Sequence, residues 1–341
     1  MLVANRRWGD GMTQEIILSV KNLKTYYEIK QGMFKPNKVI KAVDDVSFDV
    51  YKGETLALVG ESGCGKSTTG RTILNLTQAT SGEVLFNNKD LTTLNFNEMR
   101  SLRHQLQMIF QDPYASLNPK KTILQILMEP LKVHDKYQPQ ERLQKIIEIL
   151  EIVGLSEYHL ERYPHEFSGG QRQRIGIARA VILHPDFIVA DEPVSALDVS
   201  VQSQVINLML DVQKQLGLTY LFISHDLSVV QHMTDRVAVM YLGRIVEIAT
   251  TEELFDNPKH PYTKALLSAV PISHPQEKSN RILLTGDVPS PANPPTGCTF
   301  HPRCEFATEL CQQQSPSATH FSASHQVHCH LYQEGANELC Y

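Results

Sequence analysis

Gly60-Glu-Ser-Gly-Cys-Gly65-Lys66-Ser67 fits the pattern G-x-x-x-x-G-K-S/T, and it lies between the apolar run TLALV and the helix-forming stretch TTGRTILNL. This feature constrains the fold most, because a strand, a glycine loop and a helix must follow one another for the pattern to hold a phosphate. Glycines 60, 63 and 65 let backbone N–H groups turn inwards around phosphate oxygens. The following helix presents the positive end of its dipole to the same anion. Lys66 is placed to reach β and γ phosphates, and Ser67 to supply an oxygen to Mg²⁺. Ser62, Cys64 and Thr68 complete the stretch, with Cys64 filling space at a variable position.

The surrounding pattern is that of an α/β protein. From Ile16 to Val59 the runs IILSV, VSFDV and TLALV read as strands separated by polar turns, the start of a partly antiparallel sheet. Between Leu124 and Ile152 the pattern becomes helical, with Leu143, Ile146, Ile147 and Leu150 forming an i, i+3, i+4, i+7 stripe. A second helix is expected over Gly170–Leu183, stopped by His184-Pro185, and FIVAD then reads as a buried parallel strand. Further strands are expected at Thr219–Ile223, Val237–Met240 and Ile245–Ile248, giving a parallel sheet covered on both faces. After about Thr250 the composition shifts: 9 of the 18 prolines lie between Pro258 and Pro302, which marks a loop-rich appendage.

Bulk properties exclude several classes. A net charge of -5 over 341 residues gives no basic excess for nucleic acid binding. No run approaches the roughly 18 to 20 apolar residues that a membrane-spanning helix needs. Residues 1–15 read as a disordered leader without a signal-peptide pattern, and Met12 offers a second start. A cytosolic setting follows, in which the six cysteines point to metal ligation or inert burial before disulfides.

Asp191 ends the FIVAD run, so a buried strand delivers a carboxylate to the sheet's C-terminal edge, where it can hold Mg²⁺. Glu192 beside it suits the general base that orients or deprotonates the attacking water. His225 follows the apolar run YLFIS and is placed to contact the γ-phosphate.

Together Gly60–Ser67, Gln111, FSGGQ at Phe167–Gln171, FIVADE, SALD at Ser195–Asp198 and His225 resemble the ordered motif set of ABC-transporter ATPases over about Ile16–Ile248. The resemblance implies a P-loop NTPase (RecA-like) core over 16–250, with an N-terminal antiparallel β subdomain and a helical subdomain at about 112–180. It implies a head-to-tail pair of subunits, with ATP between the phosphate loop of one and Ser168, Gly169, Gly170 and Gln171 of the other. Gln111 would bridge Mg²⁺ or the attacking water to the helical subdomain, and Asp198 would pair across the interface. Tyr27 aligns best with the aromatic residue that stacks on adenine, Tyr26 being the close competitor. Phe167 stands where the family often has Leu, which keeps an apolar anchor.

Cys298, Cys304, Cys311 and Cys329 have the spacing C-x5-C-x6-C-x17-C, and four thiolates suit either zinc or an iron–sulfur cluster. The stretches NPKHPYTKALLSAVP and PSPANPPTGCTFHPRC resemble the C-terminal extension of peptide and nickel importer ATPases, here 251–341. KQGMFKPNKVIKAVDDVSF and HEFSGGQRQRIGIARA look more like the F-type than the D-type subunit. This resemblance implies an oligopeptide or dipeptide importer, with a nickel importer or a soluble non-transport ATPase as alternatives. It also implies a [4Fe–4S] cluster at the four cysteines, ahead of zinc. The partners implied are a second homologous ATPase, two membrane permeases and an extracytoplasmic solute-binding protein, with this chain on the cytoplasmic face.

Overall fold

The computed structural model describes residues 15–30, 37–270 and 281–333. The expected leader lies outside them apart from Glu15, as do Cys340 and part of the stretch KQGMFKPNKV. The chain forms two compact units, one from Lys52–Thr55 with Thr93–Ser224, the other from the segments on either side.

In the flanking unit, β1 (Ile16–Ile29), β2 (Lys38–Tyr51), β3 (Thr55–Val59), α1 (Lys66–Ile73), β4 (Ser81–Phe86) and β5 (Lys89–Asp90) follow in chain order. An antiparallel sheet has the order β2-β1-β4-β5. In β1 the buried residues switch from Leu18 and Val20 to Leu23 and Thr25. A register shift between Val20 and Leu23 accounts for this, since one extra residue reverses which face alternate side chains occupy.

The central unit contains α2 (Phe96–Leu102), β6 (Leu106–Ile109), α3 (Ile123–Val133), α4 (Arg142–Ile152), α5 (Gly169–Val181), β7 (Phe187–Asp191), α6 (Val199–Leu216) and β8 (Thr219–Ser224). β6, β7 and β8 are parallel, with Ile109 beside Ala190 and Asp191 beside Ile223, so their C-terminal ends share one edge. The second expected helix and the FIVAD strand are found within two residues of their predicted bounds. The α4 stripe differs. Ile146, Ile149, Leu150 and Val153 are buried while Leu143 is exposed, so the same spacing applies three residues further along. Packing against α3 and α5 selects this face from two that the periodicity allows.

The flanking unit resumes with α7 (Leu227–Met233), β9 (Arg236–Tyr241), β10 (Arg244–Thr250), α8 (Thr251–Asp256), α9 (Pro261–Ser268), α10 (Glu309–Gln313), β11 (Ala318–His320) and β12 (Gln326–His328). β3 pairs with β9 in parallel, but β10 pairs with β9 antiparallel rather than continuing a parallel sheet. Only Leu242 and Gly243 connect them, at φ 45 and 79, and a two-residue turn of this hand makes a hairpin, never a crossover.

The loop-rich tail adds β12 and β11 to the outer side of β10. Glu247 on β10 anchors it: the carboxylate is fully buried and accepts from the amides of Lys259 (2.7 Å) and His260 (2.9 Å) and from His325 Nε2 (2.8 Å). Burial alone would push this carboxyl up, and the donors outweigh it, holding Glu247 below its ordinary value of 4.5. Burial also pushes His260 down to about 4, so this N-cap of α9 is neutral at pH 7.

Glu247→Ala should cost about 3 kcal/mol or more in thermal or denaturant unfolding, since it strands buried donors. A depressed folded pKa means that the carboxylate's contribution is complete above 4.5 and is lost as pH falls through the lower folded value. Glu247→Gln should therefore remove that part of the acid-side decline in Tm.

Candidate nucleotide-binding and hydrolysis site

The phosphate loop grows out of β3, which is buried at all five positions. Gly60 has φ +152 and Gly65 φ +108. A Cβ at Gly60 would lie 2.1 Å from the carbonyl oxygen of Met240, and one at Gly65 would lie 2.1 Å from that of Ala42. No side chain fits at either position. Gly65 is also the N-cap of α1, in the left-handed region and without a side-chain cap. The amides of the first turn are thus not consumed by a capping group, as an anion site requires.

Lys66 is buried, and its ammonium donates to the carbonyls of Gly60 (2.8 Å) and Glu61 (3.0 Å), so the side chain folds along the loop. Cys64 is buried, its carbonyl accepting from Gly243 N at 2.9 Å. Burial pushes its thiol up, which suits packing and not nucleophilic chemistry. Ser62 and Gly63 are exposed, while Ser67 and Thr68 are half-buried at the start of α1.

The adjacent tyrosines of β1 have different surroundings. The Tyr26 hydroxyl donates to Asp44, whose other oxygen accepts from Arg244 at 2.8 Å. Tyr27 presents an exposed ring, at 41%. Of the two, Tyr27 has the face available for stacking.

In the central unit, Asp191 is buried at the end of β7, and Glu192 follows at φ 46, a left-handed conformation unusual outside glycine. The Glu192 amide donates to Ile223 O (3.0 Å), and its carbonyl accepts from Ser195 Oγ (3.1 Å). Held in this way, its carboxylate accepts from Gln111 Nε2 at 2.8 Å. Gln111 lies two residues beyond β6, so adjacent strand ends bring together an amide and a carboxylate 81 positions apart in sequence. His225 follows directly on β8 and is exposed.

Ser168 caps α5 through a reciprocal pair: Gln171 N donates to Ser168 Oγ (3.3 Å), and Ser168 N donates to Gln171 Oε1 (3.1 Å). Gln171 therefore shapes the turn. At buried Gly170 a Cβ would come within 2.4 Å of Val201 Cγ1, so this glycine lets α5 approach α6. Asp198 is the exposed N-cap residue of α6, yet its carboxylate makes no capping hydrogen bond.

Cys298 and Cys311 are tied by a backbone hydrogen bond of 2.8 Å, and Thr308 Oγ1 lies 3.4 Å from Cys311 Sγ. Burial pushes the Cys304 thiol up to about 11 and the Cys329 thiol up to about 12, with neighbouring cysteines adding to both. The four share one neighbourhood in the tail. Among the described residues, no three His, Cys, Asp or Glu side chains are arranged to hold a metal ion. Nor, among them, is any helix long and apolar enough to cross a membrane.

Residues 43–195 match the family described as ABC transporter, and residues 246–311 match the oligopeptide/dipeptide transporter, C-terminal region. The oligopeptide transport ATP-binding protein AppF of Bacillus subtilis is 56% identical over 324 residues, which cover 94% of this chain and 98% of that protein. The dipeptide transport ATP-binding protein DppF of Escherichia coli is 51% identical over 303 residues, 89% and 91% of the two chains. Among solved structures, the ATP-binding cassette MJ0796, a dimer in a post-hydrolysis state bound to ADP and Pi, aligns with a TM-score of 0.61 at 28% identity. That alignment covers 69% of this chain and 98% of the other. CbiO1 of Clostridium perfringens, part of the complex cbiONQ, aligns with a TM-score of 0.62 at 27% identity, covering 72% and 92%.

Gly65→Ala should weaken binding of a fluorescent ATP analogue by about a hundredfold or more, because a Cβ meets backbone and the conformation is left-handed. Cys64→Ala, measured in the same titration, should stay within about threefold, since it trims a packing group only.

Proposed function

The chain belongs to the ABC transporter ATP-binding proteins that carry the oligopeptide/dipeptide C-terminal region, and on that footing we propose that it drives the import of oligopeptides or dipeptides. Its reaction is the hydrolysis of ATP to ADP and phosphate. Separate permease subunits carry the solute, and the chain acts at the cytoplasmic face of the membrane.

The observation that carries the hydrolytic reading is the Gln111–Glu192 hydrogen bond, made by a carboxylate on a strained backbone directly after buried Asp191. Glu192 accepts the proton of the attacking water, or orients that water, and Gln111 fixes the carboxylate's direction. Asp191, Ser67 and Gln111 are the residues that would hold Mg²⁺. That ion neutralises phosphate charge when bound. Lys66 and the amides of Gly60–Thr68 take the β and γ phosphates, His225 the γ-phosphate, and Tyr27 the adenine.

A second homologous subunit supplies its own Ser168–Gln171 segment opposite this loop. One feature supports this reading: the exposed Asp198 carboxylate makes no capping hydrogen bond to α6 and so can pair across an interface. The remaining partners are two membrane permeases and an extracytoplasmic solute-binding protein. For the tail we propose a [4Fe–4S] cluster in a structural role at Cys298, Cys304, Cys311 and Cys329, with zinc as the alternative. The backbone hydrogen bond between Cys298 and Cys311 supports it, as does the influence of neighbouring cysteines on Cys304 and Cys329.

Glu192→Gln should leave ATP-analogue affinity within about threefold and cut turnover by about a hundredfold or more, the usual scale for a general base. Unchanged turnover in the assembled transporter would overturn the assignment. Anaerobically purified protein should contain about four iron and four labile sulfide per chain. Stoichiometric zinc without sulfide would select the alternative.

A further inference from the structure

Glu61 occupies a variable position of the phosphate motif, yet its polar groups are engaged by residues of the distant tail. Its carboxylate accepts a two-pronged fork from Arg303, with Nη1 to Oε2 at 2.8 Å and Nη2 to Oε1 at 3.2 Å. Its amide donates to the Tyr262 hydroxyl at 2.9 Å. Its carbonyl accepts from Lys66 at 3.0 Å. The two tail residues stand 242 and 201 positions away in sequence.

Both clamp residues are firmly seated. The Arg303 side chain is only 7% exposed, and its fork to a carboxylate is the geometry in which guanidinium ion pairs are strongest. Tyr262 is fully buried, its ring 4.7 Å from that of Tyr241 and 5.5 Å from that of Phe300. Phe300 and Arg303 lie in the short stretch between Cys298 and Cys304, where the amide of His301 donates to Cys298 O at 3.1 Å. The tail thus grips the second residue of the loop from two sides.

We propose that Arg303 and Tyr262 are positioning residues for the phosphate loop, holding Glu61 so that the loop is formed before the triphosphate arrives. This rests on reading Gly60–Ser67 as the ATP phosphate site. Two physical effects act together. A loop already in its binding shape loses less affinity to ordering, because apparent affinity falls with the fraction of chains that are competent. Arg303 also neutralises a carboxylate that would otherwise repel the phosphates at close range. Neither residue needs to touch nucleotide, so the interaction acts on ground state and transition state alike and should appear in KM rather than in kcat.

The test is titration of a fluorescent ATP analogue with Mg²⁺ into the full chain, paired with KM and kcat of the assembled transporter and with Tm. Arg303→Met should weaken analogue binding and raise KM about tenfold, with kcat within about twofold. Tyr262→Phe keeps the ring in its aromatic contacts and should raise KM about threefold to tenfold, and it carries the test where Arg303→Met does not fold. Glu61→Gln combined with Arg303→Met should recover at least about threefold of the affinity lost in Arg303→Met alone, because no unpaired carboxylate remains. A lowered Tm with unchanged affinity and KM in both single variants would make these contacts mere anchors of the tail and overturn the proposal. Undiminished analogue binding in Lys66→Ala would instead overturn the phosphate-site reading beneath it.

Discussion

The phosphate loop keeps its shape because two of its residues have no room for a side chain. Gly60 lies against the main-chain oxygen of Met240 on β9, and Gly65 against that of Ala42 on β2. Backbone from two separate strands therefore moulds the loop. The β9–β10 turn completes the mould: Gly243 donates to Cys64 O at 2.9 Å and accepts from Asp44 N at 2.8 Å. Much of the flanking unit, including the bulged β1–β2 pair and the β9–β10 hairpin, serves to hold these oxygens in place. Backbone contacts of this kind tolerate change in surrounding side chains but not in the glycines themselves.

The motif was legible because its chemistry demands fixed spacing. Gly60–Ser67 follows a strand and opens a helix as the pattern requires, and Asp191 and Glu192 stand at the end of a buried run. Other features were open to more than one reading. Leu143, Ile146, Ile147 and Leu150 satisfy helical spacing as well as Ile146, Ile149, Leu150 and Val153, and only packing against neighbouring helices decides between them. Strands β9 and β10 looked alike as apolar runs, and their antiparallel pairing lay in the two residues between them.

The tail was the least legible part. Its prolines announce loops, but they do not say which groups fix those loops. A fully buried Glu247 receives His325 from 78 positions away, and Glu61 receives Arg303 from still further along the chain. A single glutamate or arginine in a sequence reads as surface, since buried charges occur only with partners that folding supplies. The pairing of Gln111 with Glu192 belongs to the same class, although there the ordered motifs flagged both residues in advance.

The central claim is that hydrolysis at this site drives solute uptake. Its most direct measurement is accumulation of a labelled oligopeptide in vesicles that contain the transporter assembled with this chain and its solute-binding protein, with ATP supplied on the side of the ATPase. The account predicts uptake against a gradient that requires hydrolysable ATP and is lost when a non-hydrolysable analogue replaces it. Peptide accumulation that proceeds equally without ATP, or steady ATP hydrolysis by a complex that accumulates no peptide, would contradict it.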